Sequence, residues 1–340
     1  MPTTVTKTIG STGDYTSLQA WEDAAPANLV TADQIWRGEC LKETFSSSTT
    51  LLTISGSTSD ATRYKELTTA TGASFRDDAN AQTNALAYNA SLGAAIDLTG
   101  NYTTAVVASE NYCRVSNLMI RGAAVDTSIP ISSGLLATIE NCILDNRSTG
   151  GSSTGTSCSV VGPMNNVVSI RRKATVPHFI APSGSLNTTW KNCTVVTLSD
   201  FGVSTQAIRA PYGTLNLINV AVFNCSDPAS GGATINKTNC YTDATASGWT
   251  TVAFDTSTGS GFQGISAATV DLRIKSTSAL KDNGSASGAA TDIVGTARPQ
   301  GSAYDVGAWE YKSAGASAAS ALIRSALINS STIRGRLVLC

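Results

Sequence analysis

The chain has 340 residues, 14% of them charged against about 25% in an ordinary soluble domain, and a formal net charge of −1. That balance gives no electrostatic footprint for nucleic acid, and no stretch approaches the ~18 apolar residues of a membrane span. The eight cysteines contain no Cys-x-x-Cys pair and the single histidine, His178, stands alone, so neither a zinc site nor another cofactor is expected.

Residues 1–30 read as an N-terminal segment. Its start, Met1-Pro2-Thr3-Thr4, has no basic region and no apolar run, so no secretory signal is expected. Thr16 with Gln19 matches a capping box, and Leu18, Trp21, Ala24 and Ala25 form an apolar stripe before Pro26. A short helix follows from this pattern, suited to covering an open end of a β stack. From about 40 to 110 there are apolar bursts at Leu51–Ile54, Ala94–Leu98 and Val106–Val107, without a readable phase.

The next stretch carries the strongest signal in the chain. Asn117, Asn141, Asn166, Asn192 and Asn219 follow one another at steps of 24, 25, 26 and 27 residues. Two residues before each lie Val115, Ile139, Met164, Trp190 and Leu217; one after lie Leu118, Cys142, Val167, Cys193 and Val220. Three after come Ile120, Leu144, Ser169, Val195 and Val222. The flanks alternate with the period of a strand, and the alternation slips at the Asn. A single residue that breaks phase between two extended flanks is a corner, and Asn tolerates the left-handed conformation a corner needs. Repetition of one bracket at about 25 residues predicts a solenoid of stacked passes, with the amides hydrogen-bonding along the stack. The expected class is all-β: a single-stranded right-handed parallel β-helix. A sixth candidate, Asn239, comes after only 20 residues and has Lys237 at an apolar position, which makes its pass doubtful.

Two residues after each corner, on the face turned away from the core, come Met119, Ile143, Val168, Thr194 and Ala221. An apolar stripe there implies a cover. The expectation is side-by-side packing of copies, as a homotrimer, on Met119, Ile143, Val168 and Ala221; the alternative is cover by the chain's own loops. Cys142 and Cys193 occupy the inward position two passes apart, too far for a disulfide, and read as buried free thiols.

Catalytic signals are weak. Asp200 and Asp227 each follow a corner Asn by eight residues, and two carboxyls about 5 to 5.5 Å apart would suit a retaining glycosidase. Each also sits beside a turn residue, Gly202 or Pro228, as solvated loop aspartates do. Arg171-Arg172-Lys173 would suit an acidic glycan, but a basic run is usually a solvated face. Gly259–Gly264 matches G-x-G-x-x-G without the strand-to-helix context that a dinucleotide site requires.

Near the other end, Asp292, Gly295, Arg298-Pro299-Gln300-Gly301 and Tyr304-Asp305-Val306-Gly307-Ala308-Trp309-Glu310 form a recognisable run. It resembles the closing segment of right-handed parallel β-helix proteins of the pectate-lyase-like superfamily. That resemblance implies the β-helix over 31–311, with 272–311 as its closing segment, and leaves activity open among lyases, hydrolases, adhesins and non-enzymatic phage virion proteins. Residues 312–340 form an extension, Ala/Ser-rich and then apolar at Leu322-Ile323, Leu327-Ile328 and Leu337–Leu339, suited to an assembly contact or a simple cap.

The reading that follows is a non-catalytic phage virion protein, assembled in the host cytoplasm. A capsid decoration or cement protein contacting the major capsid protein comes first. A tailspike-like protein that binds or degrades a host surface glycan is the alternative.

Overall fold

The computed structural model describes residues 1–313 apart from 78–82, 102, 125–128, 135, 148–158, 173–178, 181–186, 204–205 and 255–257. Lys173, His178 and the apolar pairs of the 312–340 extension lie outside the described residues.

Strands dominate, and they lie in long parallel sheets. Sheet A has nine: Thr3–Ile9, Gln34–Cys40, Lys65–Thr69, Arg114–Ser116, Thr138–Glu140, Met164–Asn165, Asn187–Lys191, Thr214–Ile218 and Thr234–Thr238. Sheet B also has nine: Thr44–Ser47, Ala95–Leu98, Met119–Arg121, Ile143–Asn146, Val168–Arg171, Thr194–Thr197, Ala221–Phe223, Tyr241–Thr242 and Thr250–Thr251. In both sheets spatial order equals chain order and every pairing is parallel. Two three-stranded parallel sheets complete the passes. Sheet C holds Leu52–Ile54, Thr104–Ala108 and Ile129–Ser133; sheet D holds Phe179–Ile180, Ile208–Arg209 and Ala229–Ser230.

The register is the one that the apolar brackets demand. Val115, Ile139, Met164, Trp190 and Leu217 pair in sequence across sheet A. Ile120, Leu144, Ser169, Val195 and Val222 do so across sheet B. A one-residue slip would turn each set to the opposite face, so burial of these side chains specifies the pairing. All of them but the buried Ser169 form one elongated apolar core with Leu118, Cys142, Val167, Cys193 and Val220 at the corner. Asn239 takes φ 50° like the other corners, and Lys237 pairs opposite Leu217 with its ammonium turned out to Ser247 O at 2.9 Å. That short pass therefore belongs to sheet A, contrary to the doubt its composition raised.

The apolar bursts before residue 110 are strands of sheets B and C. They lacked a phase because an excursion between Thr69 and Ala95 makes the step between the paired positions Thr44 and Ala95 51 residues. No Asn marks the corner between Cys40 and Thr44 either.

Helix α1 (Leu18–Asp23) is capped by Ser17, whose hydroxyl accepts from Ala20 N at 3.1 Å. The expected Thr16–Gln19 box is thus one residue out of frame, because Gln19 is occupied elsewhere. Its Oε1 accepts from Thr53 N at 2.8 Å, and Glu22 Oε1 accepts from Ser55 N at 3.0 Å. Leu18 and Trp21 join the core. A second short helix, α2 (Leu29–Ala32), buries Leu29 beside them. Among the described residues, no helix is long and apolar enough to cross a membrane.

Candidate functional site

The corner residues come first, because they position everything on the outer side. Asn117, Asn141, Asn166, Asn192 and Asn219 all have φ between 51° and 63°. Asn166 Nδ2 donates to Asn141 Oδ1 at 3.0 Å, and Asn219 Nδ2 to Asn192 Oδ1 at 2.9 Å. Between these pairs the amide run is interrupted, since Asn192 Nδ2 reaches Asn165 Oδ1 at 3.3 Å instead.

Asn117 Nδ2 donates to Thr68 Oγ1 at 3.0 Å, and Asn166, Asn192 and Asn219 also bond the chain's own C-terminal part. Asn219 Oδ1 accepts from Ser285 N at 2.8 Å, Asn192 Nδ2 donates to Ser287 Oγ at 2.9 Å, and Asn166 Nδ2 donates to Thr291 O at 2.9 Å. Arg76 extends the line: Nη1 donates to Asn117 Oδ1 at 2.9 Å and Nη2 to Asp292 O at 3.3 Å. Residues 285–292 therefore run down the Asn column as a strap.

Beyond the strap the chain covers the outer face of sheet B. Met119, Ile143, Val168 and Ala221 are fully buried, and Thr194 nearly so. Their cover comes from Phe75, Leu86, the antiparallel hairpin Phe262–Ser266/Thr269–Ile274, and Ile293, Val306, Ala308 and Trp309. The expected oligomer interface is corrected on this point: the stripe is sealed intramolecularly and offers no surface to a second copy. Gly307 makes the closest approach, at φ 99°, where an added Cβ would lie 2.6 Å from Thr194 Oγ1. Ala308 N donates to that hydroxyl at 3.0 Å.

The closing run holds the cover together. Arg298 donates to Glu310 Oε2, Asp305 O and Gly307 O at 3.0, 3.0 and 2.9 Å, fully buried. Asp292 accepts from the N–H groups of Val294, Thr296 and Glu310, and Asp305 from those of Asp282 and Tyr311. Burial pushes the Asp292 carboxyl up to about 6 against those bonds. Burial, and then the neighbouring Glu310 charge, push Asp305 up to about 7. These carboxylates bind backbone; none faces a cleft as an acid or base would.

Asp200 and Asp227 do not form a pair in equivalent surroundings. Their common register ends after Phe223, where Asn224 turns at φ 59° while Ser199–Phe201 form a 3-10 turn. Asp200 Oδ2 accepts from Ala267 N at 2.7 Å, tying down the hairpin tip. Gly259–Gly264 leads into that hairpin, not into a helix. In the basic run Arg171 is buried, and Arg172 donates to Asp145 at 3.1 and 3.2 Å.

Sequence reasoning missed one constellation. Asp97, Arg121 and Asp145 lie side by side on successive strands of sheet B. Arg121 forks onto Asp97 and stacks over the Tyr88 ring at 4.1 Å; Arg147 approaches Asp97 at 3.8 Å. Burial, then the Arg121 charge, lower the Arg147 pKa. Arg121 and Asp145 each follow a corner Asn by four residues, so the repeat itself carried the signal. The constellation leaves three arginines partly exposed around two carboxylates, an arrangement fit to meet an anion and poorly fit to move a proton. Among the described residues no group of His, Cys, Asp and Glu could hold a metal ion. The six described cysteines are free and buried, and burial pushes Cys142 and Cys193 up to about 12.

Comparisons with protein-family models, with curated proteins and with solved structures find no match.

Proposed function

We propose that the chain is a right-handed parallel β-helix of the pectate-lyase-like type, closed by α1 at its start, and that it serves as a structural protein of a bacteriophage virion. A decoration or cement role on the capsid, in contact with the major capsid protein, fits it best. The observation that supports this reading is how the polar groups are used. The corner amides and Asp200 tie the chain's own C-terminal part to the stack, and the closing-run carboxylates hold that part together. A stack sealed in this way is a rigid scaffold. If it oligomerises on a particle, as a trimer or otherwise, the contact uses a surface other than the sealed stripe.

Quantitative mass spectrometry of purified particles tests the proposal. Hundreds of copies per particle are expected for a decoration protein, and a few to a few dozen would move it to the tail. Absence from particles would overturn it.

The tailspike-like reading has one observation of its own, the Asp97–Arg121–Asp145 column with Arg147, Arg172 and Tyr88. Release of reducing or unsaturated sugar ends from host polysaccharide, lost on Asp145→Asn, would favour it over the decoration role.

A further inference from the structure

In the ion column of sheet B the cations outnumber the carboxylates. Arg121 donates to both Asp97 oxygens through Nε and Nη2, and Arg172 donates to both Asp145 oxygens at 3.1 and 3.2 Å. Each carboxylate is thereby matched by one forked guanidinium. Arg147 is left over. It comes no nearer to Asp97 than 3.8 Å, beyond hydrogen-bond range, and its Nε is shielded without a hydrogen-bond partner among the described residues.

The surplus charge sits between the other two cations. Arg172 N donates to Asn146 O at 3.3 Å, continuing the ladder in which Arg171 pairs with Asn146. Arg147 and Arg172 therefore leave their strands in the same register, about 4.8 Å apart, and Arg121 belongs to the pass before. Burial, then the Arg121 charge, hold the Arg147 pKa down, and the Arg172 charge adds to the effect.

The open side of the column is cationic. Arg121, Arg147 and Arg172 keep 24%, 30% and 20% of their side-chain surface exposed, whereas Asp97 keeps 12% and Asp145 only 3%. A solute meets guanidinium before it meets carboxylate. Nη1 of Arg121 and Nη1 of Arg172 make no hydrogen bond among the described residues. The Tyr88 hydroxyl is likewise shielded and unpaired among them. The charges acting on it are those of Arg121, Asp97, Arg147 and Asp145, so it belongs to the same column. Shielded polar groups without partners are rare in folded proteins and call for an explanation.

We infer that Arg147, flanked by Arg121 and Arg172, binds a tetrahedral oxyanion, a phosphate or sulfate group. The fork of Arg147 and the two spare Nη1 donors come from three successive passes. They exceed what the two oxygens of a carboxylate require and suit the three or four of a phosphate or sulfate. Partial burial makes such a pairing stronger than it would be in open solvent. A free ion and a sugar-borne group present the same oxygens, and the experiment separates them. The inference requires neither the virion role nor cleavage of a glycan.

Titration calorimetry of the full chain with inorganic phosphate, at constant ionic strength, tests it. The parent chain should bind one phosphate. Arg147→Gln should weaken binding about tenfold or more, as the loss of a charge-assisted contact does. Arg147→Lys keeps the charge without the fork and should fall between the two. Arg209→Gln, at an exposed arginine of sheet D, should bind like the parent. Without phosphate, Arg147→Gln should melt no lower than the parent, because it removes a surplus charge; a lower melt would mean that Asp97 already neutralises Arg147 and would overturn the assignment. Glucose 6-phosphate is the second probe. Tighter binding than inorganic phosphate assigns the site to a sugar-borne group, and equal binding to the free ion. Binding of neither probe, or binding unchanged in Arg147→Gln, overturns the inference.

Discussion

Asn192 shows how much one side chain does here. It is fully buried, it holds φ 52°, and it exchanges hydrogen bonds with Asn219 and Ser287. Asn192→Ala loses about 1 kcal/mol for each buried hydrogen bond, and it loses the short polar side chain that offsets the cost, about 1–2 kcal/mol, of holding a non-glycine residue in the left-handed conformation. A loss of about 3 kcal/mol in urea unfolding is expected. Asn192→Gly keeps the backbone conformation without strain and should cost less than Ala; a Gly variant as weak as the Ala variant would refute the corner role. At Asp292 and Asp305 burial raises the carboxyl pKa to about 6 and about 7. The native state therefore holds protons that the unfolded chain has already released above about pH 4. Their contribution to stability falls as pH rises from about 4 to 7, so urea unfolding should give a larger free energy at pH 5 than at pH 8. Asp305→Asn should flatten that slope. A rise in stability from pH 5 to 8 in the parent chain would show that these carboxyls are already ionised when folded.

At the scale of elements, α1 is joined to the stack by a buried ion cluster. Lys65 Nζ meets Glu22 Oε1 at 2.6 Å, Glu110 Oε2 at 3.0 Å and Ser55 O at 2.7 Å, with all three side chains almost completely shielded. Removing the cation leaves two carboxylates buried together, a change that typically costs about 3–5 kcal/mol. Lys65→Met should lower the melting temperature and speed hydrogen exchange at Thr53 and Ser55, whose edge α1 covers. An unchanged melt would mean that Leu18, Trp21 and the Gln19 and Glu22 bonds to the edge strand hold α1 without the ion cluster. The strap is the second element whose position rests on few contacts, at Ser285, Ser287 and Thr291.

For the whole molecule, the parallel sheets from Arg114 to Ile218 were legible in sequence, because one residue type marks each corner and apolar neighbours repeat around it. Those sheets follow from strictly local geometry. The early passes were not legible, since the Cys40–Thr44 corner uses no Asn and the 70–94 excursion breaks the period. The cover on sheet B was not legible either: an apolar outward column states that something must lie on it, and not what. Of the residues that lie on it, Phe262, Ile293 and Trp309 come from 40 or more residues further along the chain and carry no repeat that links them to it. The ion column was available at four residues past Asn117 and Asn141, but charged residues facing outward carry no expectation of burial until a neighbour covers them.

Val168→Glu tests the intramolecular seal on sheet B most directly. A carboxylate forced into the Phe262–Trp309 cover should cost about 3 kcal/mol or more. The melting temperature should drop, while sedimentation velocity shows the same oligomeric state as the parent chain. A variant that melts unchanged but sediments as a smaller species would show instead that the stripe joins separate copies.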